Sequence, residues 1–547
     1  MMEAKTAEAS AIRRRIKTID KKTAAKYALL IAVAIITAVL TAVIKYPQSE
    51  SINYVNSDAT WHTLLTMQAY DETPVSQHRF LPIVSLGGEI NKGIPWGATI
   101  PDEYGNYYYT SFSPAGYILP YFFVKLFGMP INETSLYIFN TLLLAVTAVL
   151  VGFIVQRLFR DKKYPFLLGL TAAAFYCFIP EVMNSQGIVY WHQSVMQVTL
   201  ALQLLCFINM AKGRAGKPSV IAFYILCLLN PYIEWTGYVA NVGYAIGLFV
   251  LLRRNKKAAL NKSAAVVGLT ALSFMFFTLH YLSAVSVDEF STALEQRFFA
   301  RSSSTYTSLL DLLNSYVDSF GYLFILIVAL LVLVIIAYKG FGWVKKSAFY
   351  SNMPVFFVAF FPVLENVVMK QHAVLYTYDR MKFSFVLILI ICDLLYLLFD
   401  RMSGLNLSAL PASMAAVLMA VVCVVNMFSF FNSNRCWEVD YRESNKLLAD
   451  YCIARYTENN SVYGLDTYTV RGYVNLLFER SMYEYATKET VIQEAKNRNM
   501  RYAVTIYVGE LGVWNLYAFD RAEIYDLNTG QTTVISSREG YIAENVY

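Results

Sequence analysis

The chain has 547 residues, of which 56% are hydrophobic and only 15% are charged. A soluble domain carries roughly 25% charged residues, so this composition excludes an ordinary soluble protein and indicates one that lies largely in lipid. The formal net charge is +6, but the basic residues fall in short clusters between apolar runs. That pattern is typical of membrane topology signals, and we expect no nucleic acid partner.

A membrane-spanning helix needs roughly 20 consecutive apolar residues. Runs of about that length predict an all-α polytopic membrane protein with about eleven transmembrane helices. They lie at 27–46, 135–157, 164–181, 194–211, 218–234, 236–252, 263–283, 317–338, 349–369, 381–400 and 408–431. With the amino terminus inside, the cytoplasmic segments hold 24 Lys and Arg and the opposite loops hold nine. This bias predicts a multi-pass protein of the cell membrane with a cytoplasmic amino terminus.

This topology divides the chain into three parts. Residues 1–26 form a basic cytoplasmic segment, and 27–431 form a transmembrane domain whose first loop, 47–134, faces outward. A short apolar stretch at 113–128 contains Pro114 and Pro120 and is expected to lie on the outer membrane surface. Residues 432–547 have an ordinary soluble composition and predict a small extracytoplasmic α/β domain. Its expected elements are helices near 438–457 and 487–499, strands near 461–464 and 501–508, and a hairpin around 528–530.

The first loop holds the candidate catalytic carboxylates. Asp58 follows the first span by about a dozen residues, and an amphipathic stretch leads from it to Asp71 and Glu72. A carboxylate at a membrane surface can act as a general base when the geometry supports it. The same loop supplies three candidate substrate ligands, which are His62, His78 and Arg79.

All five histidines fall on the outer side or at the outer end of a span, although the outer loops are also the longer ones. No His-x-x-x-His or Cys–His spacing supports a metal site, so no metal ligands are assigned. A divalent cation stays open as a cofactor. Polar residues near outer helix ends are further candidates for binding substrate, namely His192, Gln193, Glu234, Glu365, His372, Tyr376 and Asp379.

The loop 370–382 breaks the positive-inside pattern. Arg380 and Lys382 stand at the outer end of a span, where cations indicate an anionic partner such as a lipid phosphate. Snorkelling of these side chains to ordinary membrane lipid headgroups is the alternative.

The layout resembles the C-type glycosyltransferases, polytopic enzymes that use polyprenyl-phosphate-linked sugars, such as protein O-mannosyltransferases and lipid A aminoarabinose transferases. Three features carry the resemblance: an acidic residue soon after the first span, a Pro-containing helix at the outer surface, and a following span that ends in a basic cluster. The segment YTSFSPAGY, residues 109–117, is similar to the juxtamembrane helix of that family. The resemblance covers most of the chain.

The resemblance implies an inverting transfer of a hexosyl or pentosyl group from a polyprenyl-phosphate donor at the outer membrane face. It implies that Asp58 is the base, with Asp71 and Glu72 as the alternative because they match the acidic pair common in the family. Arg380 and Lys382 would neutralise the departing phosphate. The implied sugar pocket is lined by His192, Gln193 and His372.

Three other functions stay open. One is a transporter or flippase of lipid-linked glycans, but most spans have apolar interiors and the polar residues gather at one face, which favours surface chemistry. Another is a polymerase or ligase of such glycans, for which the outer loop 284–316 offers Arg297 and Arg301. The third is a receptor whose outer domain binds a partner. The sugar, the acceptor and the oligomeric state are not assigned by the sequence.

Overall fold

The computed structural model describes residues 21–49, 54–87, 99–302, 307–326, 328–329, 346–403, 410–433, 435, 442–466, 471–508, 519–538 and 541–547. Most of the predicted cytoplasmic segment 1–26 and the second half of the predicted span 317–338 lie outside these ranges.

The helices in chain order are α1 (Lys21–Ser49), α2 (Asp58–Glu72), α3 (Val75–His78), α4 (Ala115–Phe127), α5 (Glu133–Leu158), α6 (Pro165–Cys177), α7 (Pro180–Asn184), α8 (His192–Ala211), α9 (Lys217–Ile233), α10 (Thr236–Leu251), α11 (Lys256–Leu282), α12 (Val287–Ser302), α13 (Leu309–Phe320), α14 (Ala348–Ser351), α15 (Met353–Phe360), α16 (Glu365–Val368), α17 (Lys370–Leu375), α18 (Phe383–Ser403), α19 (Leu410–Phe431), α20 (Arg442–Arg455), α21 (Arg471–Leu477) and α22 (Lys488–Asn497). The strands are β1 (Thr99–Pro101), β2 (Tyr107–Tyr109), β3 (Ser461–Leu465), β4 (Tyr502–Val508), β5 (Phe519–Asp526), β6 (Thr532–Arg538) and β7 (Tyr541–Val546). Two 3-10 turns cover Phe361–Leu364 and Thr377–Lys382.

The described part of the chain is mostly helical. Six of its helices are long and apolar enough to cross a membrane: α1, α5, α8, α11, α18 with the turn before it, and α19. Five shorter apolar helices accompany them, namely α4, α6, α9, α10 and the segment 353–368. The protein is therefore a multi-pass membrane protein, as predicted. Its topology and the count of about eleven spans stay predictions.

Two predicted spans are interrupted because proline breaks the helical hydrogen-bond pattern. The predicted span 164–181 ends as a regular helix at Cys177, and Pro180 begins the separate helix α7. The predicted span 349–369 is divided into short helices, with Pro362 inside a 3-10 turn. This turn ends at Leu364, so Glu365 stands at the start of a new helix.

Glycines let α5 and α6 pack closely in the helical bundle. A side chain added at Gly152 of α5 would lie 3.1 Å from the Gly169 carbonyl oxygen of α6, and one added at Gly169 would lie 2.9 Å from the Gly152 oxygen. Small residues at such crossings allow the helix backbones to approach, which is the usual basis of packing in lipid. Leu30 of α1 lies against the same crossing.

The carboxyl-terminal region contains a five-stranded sheet of order β3-β4-β5-β6-β7, in which β3 and β4 are parallel and the other pairs antiparallel. Helices α20 and α22 and strands β3 and β4 lie within four residues of their predicted bounds. The hairpin β5–β6 turns at the predicted place, with Gly530 at φ 75°. The prediction of an α/β region is confirmed, whereas its boundary at 432 and its extracytoplasmic location stay predictions.

This region packs against the first loop through α21 and α2. The rings of Tyr473 and Trp61 meet edge to face with centroids 4.9 Å apart. Ser481 adds hydrogen bonds to Leu86: its Oγ accepts from the Leu86 N–H at 2.9 Å, and both its N–H and its hydroxyl donate to the Leu86 carbonyl at 3.2 Å. The carboxyl-terminal region is thus held beside the helix that begins at Asp58.

Replacing Gly472 with Ala should lower the free energy of unfolding by about 1–3 kcal/mol, because the added Cβ would lie 2.6 Å from the Trp61 carbonyl carbon and overpack the contact. Thermal unfolding of the purified protein in detergent measures the effect. Gly268→Ala on α11 is the matched control, since no atom lies within 4 Å of that Cβ position. An equal melting temperature for both variants would contradict close packing of α21 on α2.

Candidate active site

Four of the predicted substrate ligands lie together, because three of them contact the carboxylate of the fourth, Asp379. Its Oδ1 accepts a hydrogen bond from Gln193 Nε2 at 3.0 Å and lies 3.2 Å from Lys382 Nζ. Its Oδ2 lies 3.3 Å from His372 Nδ1. All four side chains are buried. Residues from the start of α8, from α17 and from the turn 377–382 therefore form one polar network, which we call the Asp379 network.

The local backbone explains why these residues converge. In a 3-10 turn, residues three apart lie on the same side, so Asp379 and Lys382 point together. Gln193 occupies the first turn of α8 and reaches the same place from the neighbouring helix.

Lys382 also joins the Asp379 network to two further acids. Its Nζ donates to Thr236 Oγ1 at 3.0 Å and contacts the Glu365 carboxylate. Glu234 Oε2 accepts from the Thr236 N–H at 2.8 Å. One carboxylate oxygen from each of Glu234, Glu365 and Asp379 lies within 4.8 Å of the other two. A lysine therefore contacts two of three neighbouring buried carboxylates, and Glu234, Glu365 and Asp379 together are called the carboxylate cluster.

An aromatic pocket adjoins the Asp379 network. The His192 ring lies 4.6 Å from Tyr117, 4.7 Å from Trp191 and 4.9 Å from Phe112, measured between ring centroids. His62 of α2 lies 5.1 Å from Trp191, and its Nε2 is 3.4 Å from the Tyr117 hydroxyl. These five buried rings pack directly against one another, and we call this group of rings the aromatic pocket.

The aromatic pocket and the Asp379 network are connected through Phe112, whose ring lies 5.7 Å from that of His372. Tyr376 lies on the other side of His372 at 4.6 Å. The Trp191 side chain is only 3% exposed and packs against His62 and His192, so its ring is not an exposed one at headgroup level.

Asp58 begins α2 beside the loop that carries the Asp379 network. Just before it, Asn56 Nδ2 donates to the Leu375 carbonyl at 3.2 Å, and its Oδ1 accepts from the Thr377 N–H at 3.0 Å. Two residues after Asp58, Thr60 Oγ1 accepts from the Tyr190 N–H at 3.0 Å. Burial raises the pKa of Asp58 to about 6, and the backbone N–H of Ala59 partly offsets this rise. A carboxylate with this pKa suits a general base near neutral pH.

The alternative carboxylates stand at the far end of α2, about 20 Å from Asp58 at 1.5 Å per residue. Asp71 forms an exposed ion pair with Lys125 at 2.6 Å and accepts from the Tyr121 hydroxyl at 3.0 Å. Glu72 accepts from the Gly87 N–H at 3.3 Å. Neither acid is brought to the Asp379 network.

His78 and Arg79 also lie apart from it. His78 Nδ1 accepts from the Phe80 N–H at 2.9 Å, and the Arg79 carbonyl lies 2.7 Å from His280 Nε2. Arg79 has the left-handed φ of 48° at the end of α3. These contacts shape a turn of the first loop, and a role in binding substrate stays a prediction for both residues.

Arg380 is buried and bonded to the protein. Its Nε donates to Ser319 Oγ at 2.7 Å, and its Nη1 donates to the carbonyls of Ala373 and Val374, the latter at 3.2 Å. The side chain therefore holds α17 against α13. Its predicted contact with a lipid phosphate stays untested.

Two arginines that the sequence analysis assigned only to an alternative function lie beside the site. Arg301 stacks over the Phe112 ring at 4.5 Å and donates to the Tyr109 hydroxyl at 3.3 Å, while Arg297 lies 5.7 Å from the Tyr109 ring. Both line a cavity of about 350 Å³, together with Ser111, Trp235, Leu294, Glu295, Phe298, Phe299 and Met369. The sequence feature that could identify these two arginines as site residues is their spacing of four, which places two cations of the outer side on one helix face.

Solved structures with a similar fold are known. The Archaeoglobus fulgidus oligosaccharyltransferase, in complex with Zn and sulfate, is 11% identical, with a TM-score of 0.55 over 87% of this chain and 68% of that chain. ArnT from Cupriavidus metallidurans bound to undecaprenyl phosphate is 9% identical, with a TM-score of 0.55 over 95% of this chain and 97% of that chain. The archaeal oligosaccharyltransferase AglB from Archaeoglobus fulgidus, in complex with an inhibitory peptide and a dolichol-phosphate, is 11% identical, with a TM-score of 0.54 over 86% of this chain and 69% of that chain. No protein-family model and no curated protein sequence matches this chain.

The chain has the C-type glycosyltransferase fold. The resemblance inferred from the sequence is thereby confirmed for the fold, including the combination of a helical membrane region with a carboxyl-terminal sheet.

The carboxylate cluster provides a test for a divalent cation. Three carboxylate oxygens within 4.8 Å of one another match the ligand type and spacing that such an ion requires. The Lys382 ammonium, however, contacts the Glu365 and Asp379 carboxylates. These two carboxylates are therefore already paired with a cation, and with Lys382 so placed the residues do not fit a metal ion.

Proposed function

We propose that this protein is a membrane glycosyltransferase that moves a sugar from a polyprenyl-phosphate-linked donor to an acceptor on the extracytoplasmic face. The observation that carries the proposal is the convergence of an acidic helix start, an aromatic pocket and an arginine-lined cavity at the helix ends predicted to face outward. These features stand in a chain with the C-type glycosyltransferase fold. Solved proteins of this fold were determined with dolichol-phosphate and with undecaprenyl phosphate.

The cavity beside the aromatic pocket suits a lipid phosphate. Arg297 and Arg301 supply guanidinium groups, which form strong charge-assisted hydrogen bonds with phosphate oxygens. Leu294, Phe298 and Phe299 supply an apolar lining that suits an isoprenoid chain. We therefore assign phosphate binding to Arg297 and Arg301, because they line this cavity, whereas Arg380 and Lys382 are not among its lining residues.

In the proposed reaction, Asp58 takes the proton from an acceptor hydroxyl. The acceptor oxygen attacks the anomeric carbon from the side opposite the phosphate, and the bond between that carbon and the phosphate oxygen breaks with its electron pair leaving on the phosphate. Attack from the opposite side inverts the anomeric configuration. Arg301 stabilises the negative charge that develops on the departing phosphate.

The sugar itself is proposed to lie against the aromatic pocket, where Trp191 and Phe112 offer apolar faces to the ring. Burial lowers the pKa of His372, so this imidazole is neutral at pH 7 and can exchange hydrogen bonds with sugar hydroxyls. The Asp379 carboxylate beside Nδ1 orients the ring, and Gln193 holds that carboxylate from the other side.

A transporter or flippase is less favoured, because the solved proteins of similar fold include an oligosaccharyltransferase. The acceptor stays unassigned. We also propose that the protein resides in the cell membrane with its amino terminus in the cytoplasm, as the distribution of basic residues indicates.

Native mass spectrometry of the protein in nanodiscs tests the proposal, with undecaprenyl phosphate as the probe and phosphatidylglycerol as the control lipid. We expect one undecaprenyl phosphate to bind per chain, and we expect polyprenyl phosphate or its sugar conjugate among the lipids that co-purify. Equal binding of both probes, with only bulk phospholipid co-purifying, would overturn the proposed donor.

A further inference from the structure

The spacing of the carboxylate cluster is that of a cation site. Oxygen ligands bind Mg²⁺ or Ca²⁺ at roughly 2.0–2.6 Å, so ligands on opposite sides of such an ion are about 4–5 Å apart. The oxygens of Glu234, Glu365 and Asp379 lie within 4.8 Å of one another. They come from three separate places, which are the connection between α9 and α10, the start of α16 and the turn before α18.

Three buried carboxylates this close together repel one another and lose their hydration, which is costly unless a cation is present. Lys382 supplies that cation. Its Nζ contacts Glu365, lies 3.2 Å from Asp379 Oδ1 and donates to Thr236 Oγ1 at 3.0 Å. The lysine side chain is only 2% exposed, so the charge is held inside the protein.

The surrounding groups are arranged for an ammonium. Thr236 Oγ1 accepts from Lys382 and in turn donates to Glu365 Oε2 at 3.1 Å, while the Thr236 N–H donates to Glu234. A single threonine thus links the lysine to both glutamates. The three protons of an ammonium match the three oxygen contacts from Thr236, Glu365 and Asp379.

We infer that the Lys382 ammonium is a built-in counter-cation that takes the place of a divalent metal ion at the carboxylate cluster, by pairing with Glu365 and Asp379 directly and with Glu234 through Thr236. Sugar transfer by this protein is then independent of divalent cations. Lys382 is a positioning residue, because it fixes the Asp379 carboxylate, which orients His372 and binds Gln193 at the sugar pocket. The metal independence of transfer and this positioning role rest on the proposed function, whereas the counter-cation itself does not.

The inference is tested by replacing Lys382 with Met, which keeps the length and apolar stem of the side chain and removes the charge. Metal content is measured with Mn²⁺ as the probe, by electron paramagnetic resonance on the full chain in detergent. We expect the wild-type protein to bind no Mn²⁺ at this cluster and the Lys382→Met variant to bind one Mn²⁺ per chain. Adding Glu365→Gln to that variant should weaken its Mn²⁺ binding at least tenfold.

Lys45→Met is the matched control, because Lys45 is also fully buried but its Nζ donates to a backbone carbonyl, that of Gln186, at 2.6 Å. This variant should bind no Mn²⁺. If Lys382→Met does not fold, the wild-type protein still decides the question. One Mn²⁺ per chain in the wild type, lost in Glu365→Gln, would overturn the inference, as would a folded Lys382→Met variant that binds none.

An activity measurement separates positioning from simple structural support. With EDTA present, the wild type should transfer sugar at its full rate, whereas Lys382→Met should lose at least tenfold and recover on addition of Mn²⁺. A lysine needed only for stability would not be replaced by a metal ion. The Mn²⁺ measurement needs no donor lipid, so it stands even if the wild type transfers no sugar, an outcome that would count against the proposed function alone.

Discussion

Asp58→Asn is expected to reduce sugar transfer at least 100-fold while leaving the protein folded. A positioned general base contributes roughly 10²- to 10⁴-fold to a rate, and an amide of the same shape cannot take the proton. The N-cap of α2 is Ser57, which the substitution leaves in place, so α2 should begin at the same residue. Initial rates with a polyprenyl-phosphate sugar measure the loss, and thermal unfolding in detergent verifies the fold.

The matched controls are the other two acids of the same helix. Asp71→Asn and Glu72→Gln should retain transfer within about threefold, because these side chains lie about 20 Å from Asp58 along α2. Asp71→Asn breaks only an exposed ion pair with Lys125, which is worth little energy. Full activity in Asp58→Asn, with loss in either control, would move the base to the far end of α2.

The pH profile gives a second measurement on the same residue. A base must be deprotonated, so the rate should rise as the pH passes through about 6, the raised pKa of Asp58, and then level off. The residual rate of Asp58→Asn should lack that rise.

Deprotonation of Asp58 should raise the transfer rate, but it should lower the stability of the folded protein. Its pKa is raised from 3.8 to about 6 by burial, so the folded protein holds this proton more tightly than the unfolded chain does. The contribution of this group to stability is therefore complete below pH 3.8 and is lost as the pH rises to about 6. In Asp58→Asn, the melting temperature should show less of this decline between these two pH values.

Uninterrupted apolar runs made several elements predictable from the sequence. Helices α1, α5 and α8 lie within six residues of their predicted ends, because nothing in those runs breaks the helical hydrogen bonds. The predicted span 349–369 differs because proline interrupts the helix, and hydropathy does not show at which residue the next helix begins. That interruption matters for the site, since it sets Glu365 at a helix start beside Lys382.

The sequence indicates site residues where a polar side chain stands at a helix end at which leaving it without a partner costs free energy. Gln193, Asp379 and Lys382 were selected because polar groups at outer helix ends need partners, and the structure shows that they are one another's partners. The sequence could not show this, because the pairing depends on how α8 packs against the turn 377–382. It consequently assigned Lys382 to a lipid phosphate rather than to buried acids.

Two other features needed the folded arrangement. The distance between Asp58 and Asp71 follows only once a single regular helix is known to join them. Trp191 has the same hydropathy whether its ring meets headgroups or packs against His62, and only the tertiary contact distinguishes the two.

Arg301→Ala should weaken binding of undecaprenyl phosphate roughly 10- to 100-fold, because a hydrogen bond to a charged group is worth about 1.5–3 kcal/mol. Arg301→Lys should retain part of the affinity, since the charge remains but the planar fork of the guanidinium is lost. Native mass spectrometry in nanodiscs, titrated with the lipid, measures both variants. Adding Arg297→Ala to Arg301→Ala should weaken binding further.

Glu295→Ala is the matched control on the same helix, because Glu295 lines the same cavity with a negative charge. Its removal should leave the affinity unchanged or raise it, whereas an effect of cavity shape alone would weaken binding in both alanine variants.

Arg380→Ala separates this assignment from the one that the sequence favoured. Because Arg380 bonds to Ser319 and to the carbonyls of α17, its loss should lower the melting temperature more than the lipid affinity. The opposite ranking, with affinity lost in Arg380→Ala and kept in Arg301→Ala, would return the phosphate to the 370–382 loop.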